Sequence, residues 1–347
     1  MPVAHFLTEI LERDMINNRP SRFDETALFV NKTKIALYAM IVLVILFQLR
    51  DAYIDFRTSM LHSRKSNINY SNYFENPILQ ELSKQRPDFH NYRIVTIQYP
   101  TVEFKNLPGV NSTYGFETAD GYNSSFPKRY LDFWKMIVAR DGKYPHVFPG
   151  LAYVMVDIAK DNCIDLLSLA NVEYVISLRP LRSRRLIPVS LTGSNKVGRH
   201  ITPLFIYRNS SMLPRCFAPE YIEIFQSKED LTSELKKRTA KAFRKRALLV
   251  QEDIGRLDIK NGSRNEIQIS NYRVSGDRVS FDTDSKKGGL VVVLNSYSPY
   301  WKVVKGGSYN EVFPVYHAFQ GVFVKPGRQE VTIEYCPPYI DKLKKYL

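Results

Sequence analysis

The spacing of apolar positions changes along this chain. In residues 2–17, PVAHFLTEILERDMIN, Phe6, Ile10 and Met15 stand near helical spacing with Leu7 and Leu11 beside them. That pattern predicts a short amphipathic helix over the N-terminal segment 1–27, ended by the turn residues Asn17 to Ser21. Ile35 to Leu49, IALYAMIVLVILFQL, is instead a charge-free apolar run. A helix of this length rises about 22 Å, short of the roughly 30 Å hydrocarbon core, so the predicted transmembrane helix extends back through Leu28 and covers 28–50. Lys32, Lys34 and Arg50 would sit at its boundaries. Basic residues fall equally on both sides, so the positive-inside rule assigns no topology.

Beyond the span, helical and strand periods alternate. Asn76 to Arg86 reads as a helix with Ile78, Leu79 and Leu82 on one face, and Tyr92 to Gln98 reads as a strand. A helix opened near Ser125 would align Tyr130, Phe133, Trp134 and Ile137. Cys163 to Ala170 predicts a short helix running into a buried strand, Val172 to Leu178. Residues 179–200 read as a basic loop, and 204–208 and 218–225 as strands. Lys228 to Arg246 reads as one helix with Ser227 as N-cap and Leu231, Leu235, Ala242 and Phe243 inward. Residues 247–250 return as a strand. From Asn265 onward, seven short strands alternate with Gly-bearing turns and no helix intervenes. Val331, Ile333 and Tyr335 alternate with Thr332 and Glu334, which predicts one buried and one wet face. The expected fold class is α+β: an N-terminal transmembrane helix, a mixed α/β domain over 51–254, and a C-terminal antiparallel β-sandwich over 255–347.

Composition narrows the function classes. The chain has 347 residues, 44% hydrophobic, with 22 Tyr and 20 Phe, as befits a folded protein with aromatic cores. Its net charge of +14 favours anionic partners. Two basic clusters are the candidate anionic-surface residues: Arg182, Arg184 and Arg185 with Arg179, and Lys237, Lys241, Arg244 and Lys245 within 236–246. They suit lipid headgroups or a phosphate-bearing polymer. No nucleic-acid recognition motif accompanies them, so nucleic acid is not an expected partner. Cys163, Cys216 and Cys336 are widely spaced and odd in number, which argues against a disulfide framework. The spacings suggest no metal site and no cofactor.

Candidate catalytic acids are Glu117 and Asp120, in the loop GFETADGYN, with Asp132 downstream. Carboxylates beside aromatic rings suit sugar binding or paired acid/base work, although Asp120-Gly121 also reads as a plain turn. The acid pair Glu12 and Asp14 reads as helix surface. Tyr122, Tyr130, Tyr297 and Trp301 are the candidate ligand-binding aromatics.

Four segments in order resemble the C-terminal part of YfhO-type bacterial membrane proteins. They are Gly121-Tyr122-Asn123 with Pro127-Lys128-Arg129-Tyr130; Leu169 to Ile176, LANVEYVI; Tyr207-Arg208-Asn209 with Leu213 to Phe217, LPRCF; and Tyr297 to Lys302, YSPYWK, with Phe319 to Val322, Pro326-Gly327 and Tyr335-Cys336-Pro337. Tyr300 departs from the family's Gly, and Lys305-Gly306 from its Asp-Gly turn. The resemblance implies an extracytoplasmic α/β and β-sandwich region that follows a multi-pass GT-C glycosyltransferase-like half. This sequence has one span, so no catalytic position carries over. The implied function is a membrane-anchored domain that binds or presents carbohydrate, polyprenyl-linked sugar or anionic envelope polymer, or docks on a multi-pass glycosyltransferase subunit. A glycan-active enzyme using acids in 115–132, or a structural docking module for a multi-pass membrane partner, is the alternative.

Overall fold

The computed structural model describes residues 25–66, 77–97, 112–119, 127–138, 161–177, 180–189, 194–197, 200–255, 257 and 259–337. The chain divides into two compact units, Met1–Asn69 and Tyr70–Leu347. The segment 2–17 and the acids Glu12 and Asp14 lie outside the described residues.

In the first unit, α1 (Glu25–Ser66) is a single helix of 42 residues. Its stretch Lys34–Ile54 is long and apolar enough to cross a membrane, and none of it is buried. Its 21 residues rise about 31 Å. The apolar stretch therefore reaches its length by running past Arg50 to Ile54, and the helix itself does not stop at 50. The charge pair Arg50-Asp51 did not end it, because neither residue breaks a helix.

The second unit begins with α2 (Pro77–Gln85), β1 (Arg93–Ile97), α3 (Lys128–Val138), α4 (Asp161–Leu169) and β2 (Val172–Ser177). Strands β1 and β2 pair in parallel, which requires a crossover, here carrying α3 and α4. Strand β6 (Phe205–Asn209) joins β2 antiparallel, and β3 (Leu186–Pro188) closes the order β1-β2-β6-β3. Alternation distributes the side chains. Ile94, Tyr174 and Ile176 pack with Ile78, Leu79 and Leu82 of α2 on one face, while Val95, Ile97 and Val175 pack with Phe133, Trp134, Ile164 and Leu167 on the other. Covered on both faces, these strands read as near-continuous apolar runs.

Residues 179–200 are not all loop. They contain β3 and β4 (Ser194–Val197), which pairs with β5 (His200–Pro203). β3 is too short, and β4 too short and polar, to show a period. A further parallel pair, β8 (Tyr221–Phe225) and β9 (Arg246–Val250), is linked by helices. The single helix expected over 228–246 is two: α5 (Lys228–Leu235) and α6 (Ala240–Lys245). Each has its own side-chain N-cap. Ser227 accepts from the Asp230 amide, and Thr239 accepts from the Ala242 amide. The second cap turns Ala240 inward, where Ala242 was expected, and leaves Leu231, Leu235 and Phe243 buried.

After α7 (Gln251–Ile254) come seven strands: β10 (Gln268–Ser275), β11 (Arg278–Ser285), β12 (Gly289–Ser296), β13 (Trp301–Lys305), β14 (Phe313–Val315), β15 (Phe319–Val324) and β16 (Gly327–Tyr335). They form antiparallel sheets in the orders β10-β11-β16-β13 and β14-β15-β12-β7. The last strand of the second sheet, β7 (Cys216–Phe217), comes from the earlier half of the chain and pairs with Val292 and Val293 of β12. Consequently the junction expected near 255–264 falls inside one compact unit. The run LVVVL in β12 explains why. Val291 and Val293 face Val279, Phe281, Val331 and Ile333, whereas Leu290, Val292 and Leu294 join the cluster built on α3, α4 and α6. A strand buried on both sides links what an alternating strand would have separated. At the turn after β13, Gly306 has φ +76, and a Cβ there would meet the Glu330 carbonyl oxygen at 2.4 Å. Only glycine fits that approach.

Candidate functional site

Four segments of the second unit converge on an open cleft of about 440 Å³. Helix α4 supplies Asp165, the loop before β3 supplies Arg185, residues 211–214 supply Ser211, Met212, Leu213 and Pro214, and the start of α6 supplies Thr239, Ala240, Lys241 and Arg244. The floor is apolar and the rim is cationic. The two basic clusters, separated by more than fifty positions in sequence, meet here because β8-α5-α6-β9 folds α6 back beside α4.

Asp165 organises the cleft. Its carboxylate, 5% exposed, accepts both terminal guanidinium nitrogens of Arg185 at 2.7 and 2.6 Å. Its Oδ1 also accepts the Ala240 amide at 2.6 Å. One buried acid thus fixes the Arg185 fork, in the bidentate geometry that guanidinium favours, and the first turn of α6. Lys241 and Arg244 are exposed and make no hydrogen bond or ion pair among the described residues. Arg244 lies over the Phe217 ring at 4.8 Å, a contact that orients the side chain and leaves its N–H groups available. Counting charges, Asp165 cancels Arg185, and the cleft retains the positive charge of Lys241 and Arg244.

Not every cation in the cluster is available. Arg238 is held by Glu223 through two bonds of 2.9 Å and by Glu234 at 2.8 Å. The hydrogen bond from Arg238, despite partial burial, keeps the Glu223 carboxyl below its usual range. Arg246 lies 3.6 Å from Glu223. Arg182, Arg184, Lys237 and Lys245 are exposed and do not line the cleft.

The candidate acids divide differently. Asp120 and Tyr122 lie outside the described residues. Glu117 belongs to a second charged centre, where Arg215 donates to it at 2.5 Å and Arg93 approaches within 3.7 Å. Arg93 also donates to the Leu294 carbonyl at 2.6 Å and the Ala170 carbonyl at 3.2 Å. Arg215 reaches Asn295 at 2.9 Å and Asn171 at 3.2 Å. Burial opposes charge on Glu117, yet Arg215 and Arg93 outweigh it and hold the carboxyl below the usual range. Burial, reinforced by Arg215, pushes Arg93 down to about 10. A carboxylate kept ionised by two arginines is a counterion, poorly suited to deliver a proton near neutral pH.

The aromatic candidates are also dispersed. Tyr130 is a core residue, 7% exposed, with its hydroxyl donating to the Ala119 carbonyl at 2.9 Å. Its helical spacing with Phe133 and Trp134, which aligned it in sequence, is what buries it. Tyr297 is half-buried under Arg129 at 5.6 Å, and Trp301 is half-buried against Tyr335 at 5.6 Å. Tyr297 and Trp301 both pack against the cluster of Val279, Phe281, Val331 and Ile333, whereas Tyr130 belongs to the other core cluster. Asp132 pairs with Lys135 at 3.2 Å. Cys163, Cys216 and Cys336 are free, and burial raises the Cys216 thiol far above its ordinary value, which leaves it unreactive.

Asp165, Arg93 and Arg215 carry these centres and were not among the sequence candidates. Asp165 sits mid-helix in DNCIDLLSL, where its position on the apolar face is the one available signal: a charge on a buried face needs a partner. Comparisons of the chain with protein-family models, with curated proteins and with solved structures find no match to any of them.

Proposed function

We propose that this chain is a membrane-anchored binding protein whose cleft between α4 and α6 holds an anionic group of an envelope polymer or a lipid-linked sugar. The observation that carries this reading is the pair Lys241 and Arg244, exposed and unpaired among the described residues, beside an Arg185 fixed by Asp165. Preorganised cations at the edge of a concave apolar floor favour a phosphate or sulfate attached to a larger, less polar body. The stretch Lys34–Ile54 supports membrane anchoring by its length and composition. The facing valines of the two four-stranded sheets support reading β7 and β10–β16 as a β-sandwich. The resemblance to the YfhO tail points toward glycosylation of the cell envelope, with a multi-pass transferase as partner and no catalytic residue carried over from that family.

The test is binding of dextran sulfate to the full-length chain in zwitterionic nanodiscs. Lys241→Glu with Arg244→Glu should weaken binding by tenfold or more, roughly the effect of 1.4 kcal/mol. Arg182→Glu with Arg184→Glu should change it much less. Equal losses in the two double variants would mean diffuse surface charge and would overturn the cleft.

A further inference from the structure

Helix α6 is held at both ends. Asp165 takes its first amide, and Tyr316 takes its last carbonyls: the Tyr316 hydroxyl donates to Phe243 O at 2.6 Å and lies 3.1 Å from Arg246 O. The Tyr316 ring meets Phe243 edge-on at 5.7 Å, and its amide donates to Leu248 O at 2.8 Å. Tyr316 sits in the turn between β14 and β15, and its neighbour His317 is buried in that turn. Both residues have left-handed backbones, with φ +49 and +70. Neither is glycine, so the turn is strained and is maintained by its surroundings.

His317 is unusual among those surroundings. Its side chain is 8% exposed, and neither ring nitrogen has a hydrogen-bond partner. We propose that the Tyr316–His317 turn is the element that positions α6 at the anion cleft, and that a proton on His317 loosens it. This rests on the cleft reading above. The charged groups facing His317 come from three helices. Asp132 of α3 lies 3.9 Å from Nε2, and Arg129 of α3 donates to the His317 carbonyl at 3.4 Å. Asp253 of α7 and Lys228 of α5 complete the set. They cancel in pairs: Arg129 holds Asp253 through bonds of 2.9 and 2.5 Å, Lys135 holds Asp132 at 3.2 Å, and Glu252 holds Lys228 at 3.1 Å. With the local charges balanced, burial decides, and the imidazole stays neutral. Burial first and Arg129 second hold its pKa below the ordinary value.

The sign follows from linkage. The unfolded chain protonates His317 near pH 6.5, while the folded turn resists protonation to lower pH. The stability of the neutral turn is complete above that value and is lost as pH falls through it toward the folded-state pKa. An imidazolium would be drawn toward the Asp132 carboxylate, 3.9 Å from Nε2, which would shift the turn, withdraw the Tyr316 hydroxyl from α6 and free the helix that carries Lys241 and Arg244. Anion affinity should therefore fall on mild acidification.

The experiment follows two readouts on the full-length chain in zwitterionic nanodiscs at about pH 7.5 and about pH 5.5, a window that spans histidine titration. One is amide hydrogen exchange across 240–246, corrected for intrinsic rates. The other is affinity for dextran sulfate, whose own charge is constant in this range. In the wild type, α6 protection and affinity should each drop at the lower pH, by at most about tenfold, since pH 5.5 lies about one unit below the ordinary histidine value. His317→Asn tolerates a left-handed backbone and does not titrate, so it should abolish the pH dependence of both. Tyr316→Phe keeps the ring but not the hydroxyl, and should raise exchange in α6 at both pH values. Wild-type exchange that ignores pH, or an equal pH dependence in His317→Asn, would overturn the proposal. Switching of α6 exchange with no dextran sulfate binding at either pH would support the turn-to-helix link and overturn the cleft reading instead.

Discussion

Arginine is used in two opposite ways at the Arg93–Glu117–Arg215 centre and at the α4–α6 cleft. In the first, both guanidinium groups are almost enclosed, 7% and 6% exposed, and they bond to carbonyls and amides of the α4–β2 turn and the end of β12 and to the Glu117 carboxylate. In the second, one buried acid satisfies one arginine and two further cations stand free. The enclosed centre joins the β1-β2-β6-β3 sheet to β12. The cleft has an opening and unspent charge. The +14 of the sequence is therefore not a single property: part of it is internal scaffolding, and part is available to a ligand.

Removing a partner from each centre separates the two roles. Arg215→Ala should have the largest effect, lowering stability by about 3–5 kcal/mol, because it strands the buried Asn171 oxygen, takes the nearer of two donors from Asn295 and removes most of the pairing of Glu117. An unfolding free energy from denaturant titration within about 1 kcal/mol of wild type would break the comparison. Asp165→Asn should cost about 1–3 kcal/mol, since the Arg185 fork loses its charged partner. The same change adds net positive charge to the cleft, so dextran sulfate should bind more tightly while the melting temperature falls. A fall in both would place Asp165 with the scaffolding centre.

The pH profile sharpens the contrast. Glu117 has a folded pKa below its unfolded value of about 4.3, so its contribution is present above that pH and is lost as pH falls through the lower folded value. Glu117→Gln should remove this acid limb from a melting-temperature profile and leave anion binding at neutral pH unchanged. The smallest effect belongs to the exposed sheet face. Arg273 meets Glu330 at 2.9 Å with both side chains largely in water, and Arg273→Ala should alter stability by no more than about 1 kcal/mol. A loss comparable to Arg215→Ala would mean that burial does not govern the difference.

The pattern of the chain made much of the framework legible. Ile78, Leu79 and Leu82 announced α2, VEYVIS announced β2, and seven Gly-punctuated segments announced β10–β16. Local signals suffice where period and turn chemistry agree. The break between α5 and α6 was missed because charged residues on both sides concealed the second cap, Thr239. The basic residues of the cleft were legible as two clusters, but not as one site. Nothing local distinguishes Arg238, bound by Glu223 and Glu234, from Arg244, which lies over Phe217. Tyr130, named as a ligand-binding aromatic, lies in the core, where its helical period with Phe133 and Trp134 had also placed it.

The amino-acid sequence alone determined the apolar stretch, the α+β character and the excess of positive charge, because each depends on residue type and short-range spacing. Tertiary structure decided which charges are spent. Pairing of Arg185 with Asp165 and of Arg215 with Glu117 spans 20 and 98 positions, and the strength of a charge depends on the partners and solvent that folding leaves beside it.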